Sequence, residues 1–137
     1  MNRVLSPGPR TGRVTVPGSK SRAHRLFLAA ALGRTPVQLT CRGLSDDLLA
    51  TLSCLEALGA QVENLKGDCF TLVPLSAPPA GEILLPCGES GTTLRFLLPL
   101  VGALGAEAVF QRRGRLPRRP LEPLLAELTR HGMTIRA

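Results

Sequence analysis

The constraint that most narrows the fold is that the chain goes through one order of elements and then begins it again. Alternating and helical periodicities predict strand at Val14–Val16, helix at Arg22–Leu32, strand at Val37–Thr40, helix at Asp46–Leu58, then strands at Gln61–Asn64 and Cys69–Val73. The order is βαβαββ. A second pass follows, with strand at Glu82–Pro86, helix at Thr92–Ala103, strand at Glu107–Phe110, helix at Leu121–Arg130 and strand at Met133–Arg136. In places the two passes correspond residue by residue. Leu55-Glu56-Ala57-Leu58-Gly59-Ala60-Gln61-Val62 and Leu128-Thr129-Arg130-His131-Gly132-Met133-Thr134-Ile135 are both a helix, a glycine stop and the start of a strand. The second pass lacks its last strand, so the expectation is a piece of a larger protein with an open sheet edge through which copies could self-associate.

Composition agrees with a packed α/β chain of the α+β type. The sequence has 137 residues, 44% hydrophobic and 20% charged. That length buries roughly two thirds of the unfolded surface in one domain. No apolar run approaches the about 18–20 residues needed to span a bilayer, and the N-terminal Met1–Pro7 has no apolar signal core, so the expectation is a soluble, cytoplasmic protein without a membrane partner. Pro74–Gly81 is the one linker-like stretch. It is read as a connection between a first unit, 12–74, and an incomplete second unit, 82–137, of a single partial domain spanning 1–137. Cys41, Cys54, Cys69 and Cys87 show no metal-ligand spacing and read as buried, reduced thiols, so neither a metal nor a disulfide framework is expected.

Chemistry concentrates where strands turn into helices. In Pro17-Gly18-Ser19-Lys20-Ser21-Arg22-Ala23-His24-Arg25, Ser19 is placed to cap a helix, while Lys20 and Arg25 lie near its free N–H groups. This is the layout of a site for phosphate or carboxylate. The helix terminus alone contributes only about 0.3–1 kcal/mol on an exposed surface, so the cations carry most of the attraction. Cys87-Gly88-Glu89-Ser90-Gly91-Thr92-Thr93-Leu94-Arg95 holds the same place in the second unit, and the two loops could face one ligand. There Gly91 allows close backbone approach, Ser90 or Thr92 can cap, and Arg95 lies one turn into the helix. Asp46 and Asp47 read as caps of the second helix, and His24 and His131 as ordinary helix histidines.

The net charge of +7 includes five arginines between Gln111 and Arg119. Arg112, Arg113 and Arg118 read as a solvated face. Arg119 differs, because Pro120 at the first helical position would hold it at a helix N-terminus, with its guanidinium free to fork onto a phosphate. With no Trp, no Tyr and four Phe, the chain lacks stacking platforms for single strands, so nucleic acid is not the expected partner.

Taken in order, Pro17-Gly18-Ser19-Lys20-Ser21 with Arg25, Gly88-Glu89-Ser90-Gly91-Thr92-Thr93-Leu94-Arg95, and Gly114-Arg115-Leu116-Pro117-Arg118-Arg119-Pro120-Leu121 resemble the N-terminal part of the 5-enolpyruvylshikimate-3-phosphate synthases. The resemblance implies βαβαββ units of the enolpyruvyl transferase inside-out α/β barrel, truncated in the second unit. It implies transfer of the enolpyruvyl group of phosphoenolpyruvate to the 5-hydroxyl of shikimate 3-phosphate, without metal or organic cofactor, on the route to chorismate and the aromatic amino acids. By the same resemblance Lys20 touches both substrates, Ser21 and Arg25 hold shikimate 3-phosphate, Gly91 and Arg119 receive phosphoenolpyruvate, and Thr92 and Arg95 support the loop. Gly91 is also the small residue at the family's glyphosate contact. The residues that handle protons would lie in the absent C-terminal part, so no catalytic residue is assigned and the fragment alone is expected not to turn over. The chain departs from many members at Glu89, where they carry Asn; a carboxylate there opposes an anion unless Lys20 or Arg95 pairs with it. The related UDP-N-acetylglucosamine enolpyruvyl transferases are the alternative enzyme, disfavoured by Ser21 beside Lys20 where they usually carry Asn. A stand-alone anion- or nucleic-acid-binding module is the alternative outside enzymes.

Overall fold

In the computed structural model, which describes residues 3, 4 and 6–136, the two passes are both visible but each lacks a strand. The elements are α1 (Lys20–Ala31), β1 (Val37–Thr40), α2 (Asp46–Ala57), β2 (Gln61–Lys66), β3 (Cys69–Val73), β4 (Glu82–Gly88), α3 (Gly91–Leu104), β5 (Glu107–Arg112), a 3-10 turn (Leu116–Arg118) and α4 (Glu122–Arg130). Val14–Val16 is not a strand. Its valines are 83% and 74% exposed, and extended backbone with no neighbouring strand has nothing to bond to. Met133–Arg136 is likewise irregular, for the same want of a partner. The reading of the N-terminal stretch as lacking a signal falls partly on Met1, Asn2 and Leu5, outside the described residues.

The first sheet has the order β1-β3-β2, all antiparallel, with Leu39 opposite Phe70 and both Val37 and Val62 opposite Leu72. β3 alternates strictly, turning Phe70 and Leu72 into the core. The second sheet is the parallel pair β4 and β5, connected through α3. β4 buries Ile83, Leu85 and Cys87, and turns Leu84 outward opposite Val109. Between the sheets lies α2, whose Leu48, Leu52, Cys54 and Leu55 are all buried. It touches α1 on one side and β4 and α3 on the other, so one core spans both passes. The 14-residue α3 continues through Pro99, which is exposed and costs the helix one backbone bond. Cys41, Cys54 and Cys87 are buried, as read from sequence, whereas Cys69 on β3 is half-exposed. Among the described residues no helix is long and apolar enough to cross a membrane.

Candidate functional site

Each anion loop forms as a capped helix start. Ser19 is extended, and its Oγ accepts from the Arg22 N–H at 3.4 Å; Ser90 is extended, and its Oγ accepts from the Thr93 N–H at 3.2 Å. The fold then brings these two starts together through α2. Lys20, the first residue of α1, makes an ion pair with the Asp47 carboxylate. The Asp47 carbonyl meanwhile lies 3.2 Å from the Thr51 hydroxyl and 3.2 Å from the Thr93 hydroxyl. One residue of α2 thus ties both loops. A second tie runs directly from α1 to α3, where the Arg25 guanidinium lies 5.2 Å from the centre of the Phe96 ring and also donates to the Ser21 carbonyl at 2.8 Å.

At the second loop, Arg95 donates to the Gly91 carbonyl at 3.3 Å and to the Pro120 carbonyl at 3.1 Å. The latter bond holds the arginine-rich segment over α3. Arg119 arrives by a different route from the one its sequence suggests. Pro120 does not begin a helix: Arg119 closes the 3-10 turn, Leu121 caps α4, and the helix-starting proline is in the first turn of α4 beyond it. Even so, a Cβ added at Gly91 would sit 2.8 Å from Nη1 of Arg119 and 2.8 Å from Nη1 of Arg95. Two guanidinium groups therefore converge on a buried glycine at a helix N-terminus. Among the described residues the Arg119 guanidinium has no hydrogen bond, so its donors are available to a ligand. Thr92 follows Gly91, half-buried, and Ser21 is exposed next to Lys20.

Three sequence readings are revised here. Glu89 pairs with neither Lys20 nor Arg95. Its carboxylate packs on Gly114, whose φ of 54° and missing Cβ make the space, and Oε2 accepts from the Arg115 N–H at 3.5 Å. The carboxylate is thereby engaged on the arginine segment instead of standing against the anion loops. Asp47 favours the α2 dipole from its first turn, but its carboxylate goes to Lys20; Ser45 occupies the cap position without a side-chain capping bond. Finally, His24 is fully buried, with Nδ1 at 2.8 Å from Thr51 Oγ1, which no local pattern announces.

Burial, reinforced by Lys20 and Arg25 and only partly offset by Asp47, holds the His24 pKa below its ordinary 6.5. The unfolded chain takes up this proton near pH 6.5 while the folded chain does not, so stability is complete above 6.5 and falls as pH drops through the window below it. Urea unfolding between pH 7.5 and 5.5 should show this decline, and His24→Asn, which cannot titrate, should flatten it. An identical slope in both proteins would dismiss His24 as its source. Elsewhere, Cys54 is pushed up and Cys87 pulled down by their mutual side-chain hydrogen bond; both thiols are buried in the core, Cys54 on α2 and Cys87 near the end of β4.

With this geometry in hand, the chain can be placed among known proteins. It is 36% identical over 128 residues to the 3-phosphoshikimate 1-carboxyvinyltransferase of Clostridium beijerinckii, covering 88% of this chain and 29% of that protein. To the enzyme of the same name from Methanocorpusculum labreanum it is 35% identical over 135 residues, covering 96% of this chain and 32% of that protein. Its fold superposes on the EPSP synthase of Acinetobacter baumannii with a TM-score of 0.73 at 30% identity, covering 92% of this chain and 29% of that one. The chain therefore spans about three tenths of the length of these relatives. The family profile described as EPSP synthase (3-phosphoshikimate 1-carboxyvinyltransferase) matches residues 4–137, and the mixed α/β chain belongs to the EPSP synthase family.

Proposed function

We propose that this chain supplies one wall of a site in which the enolpyruvyl group of phosphoenolpyruvate is transferred to the 5-hydroxyl of shikimate 3-phosphate. The observation that carries the reading is the meeting of two capped helix starts, one bearing Lys20, Ser21 and Arg25, the other bearing Gly91 beneath Arg95 and Arg119. Both substrates carry phosphate and carboxylate, and they repel each other until cations screen them. In this reading Lys20, Ser21 and Arg25 take shikimate 3-phosphate. Gly91 lets the phosphoenolpyruvate phosphate approach the α3 N-terminus, Arg119 forks onto it, and Arg95 and Thr92 keep the loop in place. Lys20 lies between the two substrates and neutralises charge on both. In the transfer the 5-hydroxyl loses its proton as its oxygen adds to C2 of the enolpyruvyl group and C3 gains a proton; C3 then gives up a proton as the bond from C2 to phosphate breaks, restoring the double bond. The groups proposed to move those protons are not assigned to this chain, which binds and orients.

Two or three charge-assisted contacts of about 1.5–3 kcal/mol each, less the cost of association, leave about 4 kcal/mol, a millimolar affinity. The test is a proton-nitrogen NMR titration with shikimate 3-phosphate, using inorganic phosphate as control. Saturable shifts at Lys20, Ser21, Arg25 and Gly91 that phosphate does not reproduce are expected. Equal shifts with phosphate would reduce the site to general anion binding, and micromolar affinity for shikimate 3-phosphate at moderate salt would contradict the contact arithmetic.

A further inference from the structure

Beneath the two loops runs a buried chain of polar groups that links three helices. From His24 on α1, Nδ1 meets Thr51 Oγ1 of α2 at 2.8 Å; Thr51 Oγ1 meets Thr93 Oγ1 of α3 at 2.7 Å; and the Thr93 hydroxyl donates to Ser90 Oγ at 2.7 Å. All four residues are no more than 1% exposed. His24 Nε2 is buried without a hydrogen-bond partner among the described residues. That orphan fixes the direction of the first link, and the bond from Thr93 to Ser90 fixes the direction of the second. With the imidazole proton on Nδ1, the unbonded atom is a lone pair, whereas the other tautomer would bury an unbonded N–H, the rarer and costlier case. His24 then donates to Thr51, Thr51 to Thr93, and Thr93 to Ser90, whose Oγ also accepts the Thr93 N–H as the cap of α3. Asp47, whose carbonyl lies 3.2 Å from both threonine hydroxyls, farther than the 2.7 Å bonds that take their protons, and whose carboxylate holds Lys20, connects this chain to the first loop.

We propose that His24 is a positioning residue: through Thr51 and Thr93 it fixes the Ser90 cap, and hence Gly91, relative to Lys20, so that the two helix starts hold neighbouring anions at a set separation. The inference rests on the reading of these loops as an anion site. His24 touches no ligand itself. It is the N-terminal end of a donor chain that ends at the second loop, and it sits one turn along α1 from Lys20 at the first.

The experiment measures amide hydrogen exchange and inorganic phosphate binding in the whole chain for wild type, His24→Leu, Thr51→Val and His24→Asn. In the first two variants the Thr93 amide, which is capped by Ser90, should exchange about fivefold faster, and the Gly91 response to phosphate should weaken about threefold, in keeping with a loosened cap. His24→Asn, which retains a donor for Thr51, should restore both to within about twofold of wild type. Thr51→Val conserves shape, so it carries the test if His24→Leu does not fold. Faster exchange spread evenly over core amides such as Leu55 and Leu72, or unchanged Thr93 exchange and phosphate affinity in folded variants, overturns the proposal while leaving the site reading intact. If wild type shows no phosphate shift at Lys20 or Gly91, the site reading fails. Thr93 exchange alone then decides: selective acceleration supports the tie between the loops, and no change overturns it.

Discussion

Replacing Phe70 by alanine is expected to lower the stability of this chain by about 3–5 kcal/mol, out of the 5–15 kcal/mol typical of a domain. Phe70 is 1% exposed in the middle strand of the first sheet, where it forms a T-shaped pair with Phe27, ring centres 5.4 Å apart and planes at 74°. Truncation removes the transfer energy of a large side chain and opens a cavity between α1 and β3. It also removes an aromatic pair that adds about 0.5–1.5 kcal/mol beyond area. Leu72, Leu55 and Leu58 of the same core are already fully enclosed and so are not free to fill the cavity. The consequence reaches the site: Phe27 is on α1, two turns beyond Lys20, and its contact with Phe70 fixes how α1 lies on the sheet. Chemical denaturation followed by circular dichroism is the measurement, with Leu84→Ala as control. Leu84 is 56% exposed, and its loss should shift stability by about 0.5 kcal/mol or less. Comparable losses from the two changes would mean that the core does not lie between α1 and β3.

What could be read from the sequence divides by the range of the interaction responsible. Helix starts are local events. Ser19 declares itself by residue type and position, and at the second loop the sequence narrows the cap to Ser90 or Thr92, of which Ser90 takes the place. β3 is legible because strict alternation at Phe70 and Leu72 has one solution once a face is buried. Val14–Val16 and Met133–Arg136 carry the same local signal but find no partner, since a strand is a property of pairs. Arg119 fell to a competition between prolines. Pro117 serves the 3-10 turn and Pro123 the start of α4, leaving Pro120 as a link between them. The buried network was out of reach for another reason: Thr51 and Thr93 are 42 positions apart, and a threonine in an amphipathic helix gives no sign that a hydroxyl from another helix will meet it. Glu89 shows both sides of this. Its residue type marked it as out of place, while its partner, the Arg115 N–H, depended on a turn 26 positions away.

Gly91→Ala is expected to separate binding from folding at the second loop. The backbone of Gly91 is helical, so alanine is tolerated by conformation, and the atoms its Cβ would meet are the far ends of two flexible arginines and, at 3.7 Å, Leu116. The arginines can swing aside at little cost, and thermal stability should stay at or slightly above that of the wild type. Binding has no such freedom. The methyl group occupies the point on which Arg95 and Arg119 converge, so an anion there loses close approach to the helix N-terminus and at least one guanidinium contact. At about 1.5–3 kcal/mol for a charge-assisted bond, affinity for phosphate at this loop should fall about 10- to 150-fold, read from the shifts of Thr92 and Thr93. Ser21 and Arg25 supply the internal control, because their ligand contacts do not pass through Gly91 and their response should change little. Loss at both loops would mean that a single anion bridges them. Undiminished binding at Gly91 would show that the converging arginines stabilise the loop itself, and the anion site would then have to be sought on the Lys20 side alone.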